Sequence, residues 1–442
     1  MKKLISLVLA LIMCFTFIMS ASADSVVVDF GDVAGEAGDI DVDTYITSTD
    51  LALLRKILIG ASVAQSKVTA NVNGDAAGKV DIVDLVRLKK TLSDMEAAYF
   101  ADGITTIRGS EADKTTWVYQ VNSSGLLVRE ADIDLGGDNE LTLTHTSDWH
   151  IVAMDESDFA DDEIAASYNQ RKTYFKDGPR NAREVMKFGN FYDKTIITGD
   201  TTDYLSKGSF DYVNATIGKS DVIVGLGNHE FRKVWYGSYV DTQDLNERYA
   251  ITQENWKNNI FYHSEILEDK VMLVYIYNSA GEDTQKYYTE KFTAKDALGN
   301  EKTDTVDNFF AGDLAIAKEN GYKILLFQHT PTSTGKEEDA NLQAIIENFN
   351  DAADKVVTKD YYHLSGHADN DTDMDRAMYK LITENADVIK GIFNGHVHAQ
   401  LYSEVKAKST PSASTYDSVI PQYTTGLNAY GYGCVIKINV KY

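Results

Sequence analysis

Short apolar runs that pass directly into polar residues recur along the chain between residues 141 and 398. The clearest is Val222-Ile223-Val224, which is followed by the glycine-containing segment 225–230. A β-branched run that ends in glycine is typical of a buried strand that delivers a polar loop. Four further runs share this pattern and also end in Asp, Asn or His: 141–150, 195–200, 323–329 and 388–398. The pattern predicts five strands with polar side chains at one end.

Amphipathic stretches separate these runs and include 164–175 and 313–320. Alternation of strands with such stretches predicts an α/β layered fold, with ligands gathered along one rim of the sheets. Two apolar runs within 117–128 flank a polar turn and predict a β-hairpin at the edge of this domain. The apolar run 435–440 predicts a closing strand.

The N-terminal part contains two copies of an oxygen-rich loop, each followed by an apolar-periodic helix. Oxygen ligands at loop positions 1, 3, 5, 9 and 12, with a backbone carbonyl at 7, are typical of calcium, because a hard cation takes many oxygens from one tight loop. In the first loop these positions are Asp39, Asp41, Asp43, Thr47 and Asp50, with the carbonyl of Tyr45. In the second loop the expected ligands are Asn71, Asn73, Asp75, Asp81 and Asp84, with Ala76-Ala77 as an insertion. A small all-α calcium-loop domain is therefore predicted.

The length of 442 residues exceeds one ordinary domain, and a hydrophobic content of 43% is enough for a sizeable core. Residues 1–23 contain a charged start, an apolar run and Ala21-Ser22-Ala23, which together predict a secretory signal cleaved after Ala23. We expect the calcium domain at 24–98, a polar and acidic linker at 99–113 and the α/β domain at 114–442. Bacterial export and an extracellular location follow from the signal.

The charge balance narrows the range of partners. The formal net charge is −25 and becomes −27 when Lys2 and Lys3 leave with the signal, because residues 1–23 contain no Asp or Glu. So acidic a surface disfavours duplex nucleic acid and anionic membranes, and we expect neither as a partner of the mature protein. Cys434 is then the only thiol, which excludes an internal disulfide and leaves packing and metal binding as sources of stability.

Seven side chains at the predicted strand ends offer oxygen or imidazole ligands. Residues two apart in an extended segment face the same side, so Asp148 and His150 can share one metal, as can His396 and His398. Asp200 has two oxygens and can bridge two ions. With Asp200 counted twice, the set gives four ligands to each of two metals: Asp148, His150, Asp200, Asn228, His329, His396 and His398. Nitrogen and oxygen ligands without thiolate favour Mn, Fe or Zn.

The ordered blocks around these residues resemble the calcineurin-like metallophosphoesterases. The resemblance implies a sandwich of two mixed β-sheets flanked by helices. It also implies one metal site from Asp148, His150, Asp200 and His398, and a second from Asp200, Asn228, His329 and His396. His229 matches the family's catalytic histidine that binds no metal, and Asp203 matches the carboxylate that orients it. Tyr204 stands where serine/threonine protein phosphatases place a phosphate-binding arginine, which argues against a protein substrate.

The duplicated loop and helix resemble a dockerin, which implies a cohesin domain of a scaffold protein as partner. In that family loop positions 10 and 11 help to choose the cohesin, and here they are Ser48-Thr49 and Ile82-Val83.

The two resemblances together imply a secreted dinuclear-metal phosphoesterase that acts on small phosphate esters. Metal ions about 3.5–4 Å apart can activate hydroxide for in-line attack, and His229 is expected to protonate the leaving oxygen. Arg232, His363 and His367 are candidate substrate contacts, although Arg232 is equally consistent with an ordinary surface cation. Two alternatives stay open: a non-catalytic binding component of an extracellular, cellulosome-like assembly, and a nuclease or small-nucleotide phosphodiesterase.

Overall fold

The structure is a computed structural model that describes residues 29–31, 37–41, 46–60, 65–74, 78–101, 105–108, 118–121, 125–153, 162–203, 206–218, 221–231, 261–268, 270–278, 291–332, 378, 380–398, 400–407 and 418–442. Several predicted features lie outside these residues: the signal segment, Asp43, Tyr45, Asp75, Arg232, His363 and His367. The chain divides into two compact units, Met1–Tyr99 and Phe100–Tyr442. None of the described helices combines the length and apolar character needed to cross a membrane.

The first unit is mainly helical. Its elements are strand β1 (Asp29–Gly31), helix α1 (Ser48–Leu58), strand β2 (Gln65–Ser66), helix α2 (Lys67–Ala70) and helix α3 (Ile82–Ala101), whose last residues belong to the second unit. Helix α1 begins at a capping box, in which the Thr47 side chain accepts from the Thr49 N–H and the Asp50 side chain accepts from the Thr47 N–H. The short parallel pair β1–β2 is a small departure from the predicted all-α domain.

Both copies of the repeat contribute to one core in this unit. Leu51 and Leu54 from α1 pack with Leu88 and Leu92 from α3. Leu51 and Leu54 are three residues apart and Leu88 and Leu92 four apart, so each pair lies on one face of its helix and the two helices bury one face each.

The second unit contains two large mixed sheets. The seven-stranded sheet has the order β3-β4-β5-β17-β6-β7-β8, and the six-stranded sheet has the order β15-β16-β14-β13-β10-β9. The strands of the first are β3 (Thr105–Arg108), β4 (Val118–Val121), β5 (Leu126–Asp134), β6 (Glu140–Thr146), β7 (Lys194–Ile197), β8 (Val222–Val224) and β17 (Gly433–Lys441). Those of the second are β9 (Tyr262–Glu268), β10 (Val271–Ile276), β13 (Lys323–Gln328), β14 (Ile389–Asn394), β15 (Leu401–Ala407) and β16 (Ser418–Thr424).

Apolar side chains from both sheets form a single core cluster. Leu143 and Ile436 from one sheet belong to the same cluster as Leu273, Phe327 and Phe393 from the other. The remaining elements are helices α4 (Asp162–Tyr174), α5 (Gly178–Gly189), α6 (Lys207–Ile217) and α7 (Val306–Asn320), and a hairpin of β11 (Phe292–Lys295) with β12 (Glu301–Asp304). The predicted sandwich of two mixed sheets with helices is confirmed.

Two local predictions can be compared directly with the strands. The predicted hairpin is present as the antiparallel pair β4–β5. Part of the expected linker, however, is strand β3, which pairs with β4 and forms an edge of the seven-stranded sheet. The physical reason is that Thr105, Thr106 and Ile107 are β-branched and favour extended pairing despite their polar surroundings.

Candidate metal centre

The seven candidate ligands follow directly after five strands. Asp148 and His150 follow β6, Asp200 follows β7 and Asn228 follows β8, and these three strands pair in parallel. His329 follows β13, and the pair His396 and His398 follows its parallel neighbour β14. Since parallel neighbours end at the same edge of a sheet, each sheet presents its ligands at one rim.

The structure brings these side chains together in two clusters that share Asp200. Ligand atoms of Asp148, His150, Asp200 and His398 lie within 4.8 Å of one another, and so do those of Asp200, His329 and His396. Nε2 of His150 is 3.1 Å from Nε2 of His398. In the second cluster, Nε2 of His329 is 3.2 Å from Nδ1 of His396 and 3.3 Å from Oδ1 of Asn228. Asn228 therefore faces the cluster to which the family resemblance assigned it.

The backbone at the ligands is strained. Asp148, His150, Asp200, His396 and His398 have φ between 43° and 69°, and they are the only non-glycine residues with positive φ among those described. The left-handed region costs an L-residue about 1–2 kcal/mol, and such strain persists at functional sites where the surroundings enforce it. Among the described residues, non-glycine positive φ therefore occurs only at five of the seven predicted ligands.

The donor chemistry fits divalent ions. Oδ1 of Asp148 is buried and accepts no hydrogen bond of good geometry, although Nε2 of His398 lies 3.3 Å away. Imidazole nitrogens and carboxylate oxygens converge without any thiolate, which suits Mn, Fe or Zn.

Two glycines let the backbone approach the carboxylates. A Cβ atom on Gly395 would lie 2.2 Å from Oδ2 of Asp148, and one on Gly227 would lie 2.2 Å from Oδ1 of Asp200. The same oxygens accept backbone N–H bonds of 2.9 Å from His396 and His229, respectively. One oxygen of each carboxylate is thus held by the protein backbone.

A buried carboxylate ties the metal-binding loops together. Glu230 accepts backbone N–H bonds from Asp200, Thr201, Thr202 and Gly227, at 2.6–3.0 Å. Burial and, after it, the charge of Asp200 raise the pKa of Glu230 to about 7. Glu230 therefore fixes the loop after β7 against the loop after β8.

Asp203 orients two histidines and is itself held by an arginine. Its Oδ1 is 3.0 Å from Nδ1 of both His150 and His229. Arg171 donates to it through Nε at 2.8 Å and Nη2 at 2.6 Å. Burial raises the pKa of Asp203, but the bonds from Arg171 and His150 outweigh burial and keep that pKa well below its ordinary range. Asp203 is therefore an anion at neutral pH.

Sequence reasoning missed two residues that support this arrangement. The guanidinium of Arg171 lies 4.3 Å from the ring centroid of Phe175, and Phe175 stacks on His150 at 4.7 Å. Both come from the end of α4 and the turn after it, and α4 follows a segment outside the described residues. No motif spacing links them to Asp203, and helix α4 has no clear amphipathic face that could have suggested that it packs near the site.

The pKa values of the ligand histidines differ, and they indicate which of these side chains carry a proton before a metal binds. Burial lowers the pKa of His150, but the nearby carboxylates of Asp148 and Asp203 outweigh that effect and raise the pKa to about 9. Burial also lowers the pKa of His329, yet the charge of Asp200 raises it to about 9. The pKa of His396 falls to about 3, since burial and the neighbouring His329 disfavour its charged form. A metal bound at neutral pH must therefore displace protons from His150 and His329.

Two further histidines have structural partners. His145 is fully buried, with Nε2 2.9 Å from the Thr198 hydroxyl, and burial lowers its pKa to about 3. His263 lies 3.4 Å from Glu265. Neither belongs to a metal-ligating group among the described residues.

The two loops of the first unit close in equivalent ways. Asp39, Asp41 and Asp50 place carboxylate oxygens within 4.8 Å of one another. Asp50 accepts from the N–H groups of Ile40 and Thr47, both at 2.7 Å, and its burial raises its pKa to about 7.

In the second loop Asp84 occupies the corresponding closing position. Asp84 accepts from Asn73 at 2.8 Å and from Asp81 at 2.7 Å. Asp81 in turn accepts from the Val83 N–H at 2.8 Å and lies 3.5 Å from Nζ of Lys79. Asn71 is half-buried at the start of this loop. On either side of the insertion, Asn73 and Asp81 therefore both donate hydrogen bonds to the closing carboxylate of Asp84.

Comparison with known proteins agrees with both parts of the chain. The family model for the calcineurin-like phosphoesterases matches residues 141–400, and the model for the dockerin type I domain matches residues 37–93. No curated protein matches the chain.

Among solved structures, one similar to this chain is a Staphylococcus aureus protein provisionally named a 5′-nucleotidase, in complex with alpha-ketoglutarate. The two are 13% identical over 66% of this chain and 49% of that chain, with a TM-score of 0.33. The chain thus spans about half the length of that structure. On the family match, which covers more than half of the sequence, the chain belongs to the calcineurin-like phosphoesterase family and carries a type I dockerin domain.

Proposed function

We propose that the protein hydrolyses small phosphate esters with two divalent metal ions held by the seven ligands described above. The observation that carries this proposal is the sharing of Asp200 by two ligand clusters, each within 4.8 Å. A carboxylate common to two sites is the feature that keeps two ions close enough to act on one phosphate. We expect Mn, Fe or Zn, because the donors are nitrogen and oxygen.

Two ions at these positions supply Lewis-acid activation of water and of the phosphoryl oxygens. The protein's own part is to hold the imidazoles and carboxylates in a fixed geometry and to manage the leaving group. His229 is oriented through Nδ1 by Asp203, both at Oδ1 and at the carbonyl oxygen, at 3.0 and 3.1 Å. Its Nε2 is then the atom that donates a proton to the leaving oxygen, a step worth about 100- to 10,000-fold.

We further propose that the protein is exported and docks on a cohesin-bearing scaffold. The predicted signal at 1–23 supports export, and the dockerin domain supports the partner. In the second copy of the repeat, Ile82, Val83 and Val86 are 54%, 53% and 63% exposed, whereas Ser48 in the first copy is buried. Exposed apolar residues at loop positions 10 and 11 favour docking through the second copy.

The phosphoesterase proposal is tested by turnover of an aryl phosphate after loading with Mn²⁺ and metal analysis. We expect two Mn²⁺ ions bound by the second unit of each chain and steady turnover, and we expect Asp200→Asn to lose both because the shared ligand is altered. His263→Gln is the control, since His263 is outside the ligand clusters. Metal-loaded protein that turns over neither monoesters nor diesters would instead favour a non-catalytic component of an extracellular assembly.

A further inference from the structure

A buried asparagine lies beside the metal centre, on the loop between β16 and β17. Asn428 is fully buried, and the match to the phosphoesterase family model ends at residue 400, so the family resemblance assigns it no role. Two of its hydrogen bonds reach the loop after β6 that carries Asp148. A buried amide is costly unless it is hydrogen-bonded, so its partners indicate what it does.

This one residue holds both peptide planes that flank Asp148. The side-chain Nδ2 of Asn428 donates to the carbonyl oxygen of Ser147 at 2.7 Å. The backbone N–H of Asn428 donates to the carbonyl oxygen of Asp148 at 2.9 Å. The first carbonyl belongs to the peptide before the Cα atom of Asp148 and the second to the peptide after it. The two bonds therefore oppose rotation about both φ and ψ of Asp148.

Asp148 needs such support because its backbone is left-handed. Its φ is 56°, a conformation that non-glycine residues adopt only in a small minority of cases, where surrounding contacts hold them there. Relaxation to a negative φ would change the direction of the Cα–Cβ bond. The carboxylate would then leave the cluster that it forms with His150, Asp200 and His398.

The amide of Asn428 is itself fixed in orientation. Its Oδ1 accepts from the N–H of Cys434, the second residue of β17, at 2.6 Å. The side chain of Asn181 donates to the Asn428 carbonyl at 2.7 Å. Because β17 is the middle strand of its sheet and pairs with β6, Asn428 links a rigid strand to the metal-binding loop.

We propose that Asn428 is a positioning residue of the metal centre, which keeps Asp148 in the left-handed conformation that its ligand cluster requires. This inference rests on the two-metal site of the proposed function. Asp148 belongs to only one of the two clusters that share Asp200. Loss of the Asn428 side chain should therefore weaken the binding of one metal ion more than that of the other.

The test is a calorimetric titration of the metal-free full chain with Mn²⁺, in excess calcium so that the first unit does not take up Mn²⁺. We expect the second unit of the wild type to bind two Mn²⁺ ions, and Asn428→Ala to bind one of them about 10- to 100-fold more weakly. Asn428→Ser keeps a hydroxyl in the same space, folds more readily than the alanine variant and should lose affinity for the same ion. Urea unfolding of each metal-free variant measures its stability.

Asp313→Ala is the matched control. Asp313 is fully buried and accepts hydrogen bonds from the Tyr262 hydroxyl at 2.5 Å and the Ala297 N–H at 3.0 Å. It belongs to no metal-ligating group in the described part of the chain. This variant should lose stability as Asn428→Ala does, yet bind both Mn²⁺ ions with the affinity of the wild type.

Unchanged Mn²⁺ affinities in both Asn428 variants would show that the residue only stabilises the fold, and would overturn the positioning role. An equal loss of affinity in Asp313→Ala would also overturn it. A wild type that binds two Mn²⁺ ions and hydrolyses no ester overturns the phosphoesterase, while the selective loss in Asn428→Ala still supports the positioning role. A wild type that binds no Mn²⁺ overturns both.

Discussion

The position of the Asp148 carboxylate depends on a glycine beside it, Gly395. Gly395 lies where a Cβ atom would come within 2.2 Å of both Oδ2 of Asp148 and Oγ of Ser147. We predict that Gly395→Ala pushes the Asp148 carboxylate out of its cluster, lowers the metal content and reduces turnover by about 100-fold. Metal analysis and steady-state kinetics on the same preparation measure both effects.

Gly312→Ala is the matched control for this substitution. Gly312 is inside helix α7, and a Cβ atom there meets only the flexible end of Lys302, at 2.9 Å. Alanine in a helix interior is favoured over glycine by about 0.5–1 kcal/mol, so this variant should keep its metals and unfold at a slightly higher temperature. Full metal content in Gly395→Ala would show that the Asp148 carboxylate does not need a glycine at position 395.

Arg171 acts on the site through Asp203. We predict that Arg171→Gln lowers kcat by about 10- to 100-fold, because Asp203 loses its two guanidinium bonds and no longer fixes His150 and His229. Lys172→Gln removes the neighbouring cation of the same helix and should change kcat little. Measurement of kcat and metal affinity for both variants separates the roles, and equal kcat values would show that Arg171 does not position the site.

The ligands themselves could be predicted from sequence, whereas their support could not. Asp148 and His150, like His396 and His398, were predicted from their spacing of two residues and from the apolar run that precedes each pair. Arg171 meets Asp203 only after helix α4 has folded back on the sheet, and no short pattern records that contact. The left-handed backbone at the ligands is also not specified by the sequence, since Asp and His adopt that region in a small minority of cases, where surrounding contacts hold them there.

At the scale of elements, apolar runs located the strands but not their order. β5 and β6 are consecutive in the chain, yet β17 from the C-terminus lies between them, parallel to β5 and antiparallel to β6. A run of apolar residues indicates burial on both faces and does not specify its neighbours. The predicted closing strand is therefore central in its sheet.

An ion pair joins the two sheets, and it should make stability depend on pH. Nζ of Lys194 on β7 is 2.7 Å from Glu265 on β9. Burial raises the pKa of Glu265, but His263 and Lys194 outweigh burial and lower it to about 2, from an ordinary 4.5. Because the folded-state pKa is depressed, the stabilisation is present above pH 4.5 and is lost as the pH falls toward 2.

We predict that Glu265→Gln lowers the free energy of unfolding at pH 7 by about 2 kcal/mol, since it leaves the ammonium of Lys194, whose side chain is only 12% exposed, with a weaker partner. The variant should also lose less stability than the wild type between pH 4.5 and 2. Urea unfolding across this range measures both effects. Asp221→Asn is the control, because Asp221 is 47% exposed and its pair with Lys194 is screened by water. Equal losses in the two variants would contradict the role of burial.

At the scale of the whole molecule, each unit has its own core and its own set of oxygen-rich or imidazole-rich loops. The sequence predicted both units, because duplicated calcium spacing and strand-end ligands are local patterns. It did not give the course of the chain at the boundary, where helix α3 continues to Ala101 and strand β3 joins the sheet. Strand β3 forms by pairing with β4, a contact that composition does not reveal. A prediction from composition alone therefore assigned these residues to a linker.

Two units with different metal chemistry should unfold in separate transitions that respond to different ions. In the first unit the closing carboxylates of Asp50 and Asp84 are already held by backbone N–H groups, and calcium would relieve the repulsion among Asp39, Asp41 and Asp50. Calcium at 100 times its dissociation constant should add about 2.7 kcal/mol to that unit, while Mn²⁺ should stabilise the second unit.

The measurement is thermal unfolding of the full chain with a calcium-selective chelator, with calcium and with Mn²⁺. Asp50→Ala should reduce the calcium shift of one transition, since only the second loop then remains intact, and should leave the Mn²⁺ shift of the other, whereas Asp200→Asn should remove the Mn²⁺ shift and leave the calcium shift. Each variant thus serves as the control for the other. If calcium moves neither transition, the loops are not calcium sites, and the metal centre of the second unit stands independently because its ligands share none of these residues.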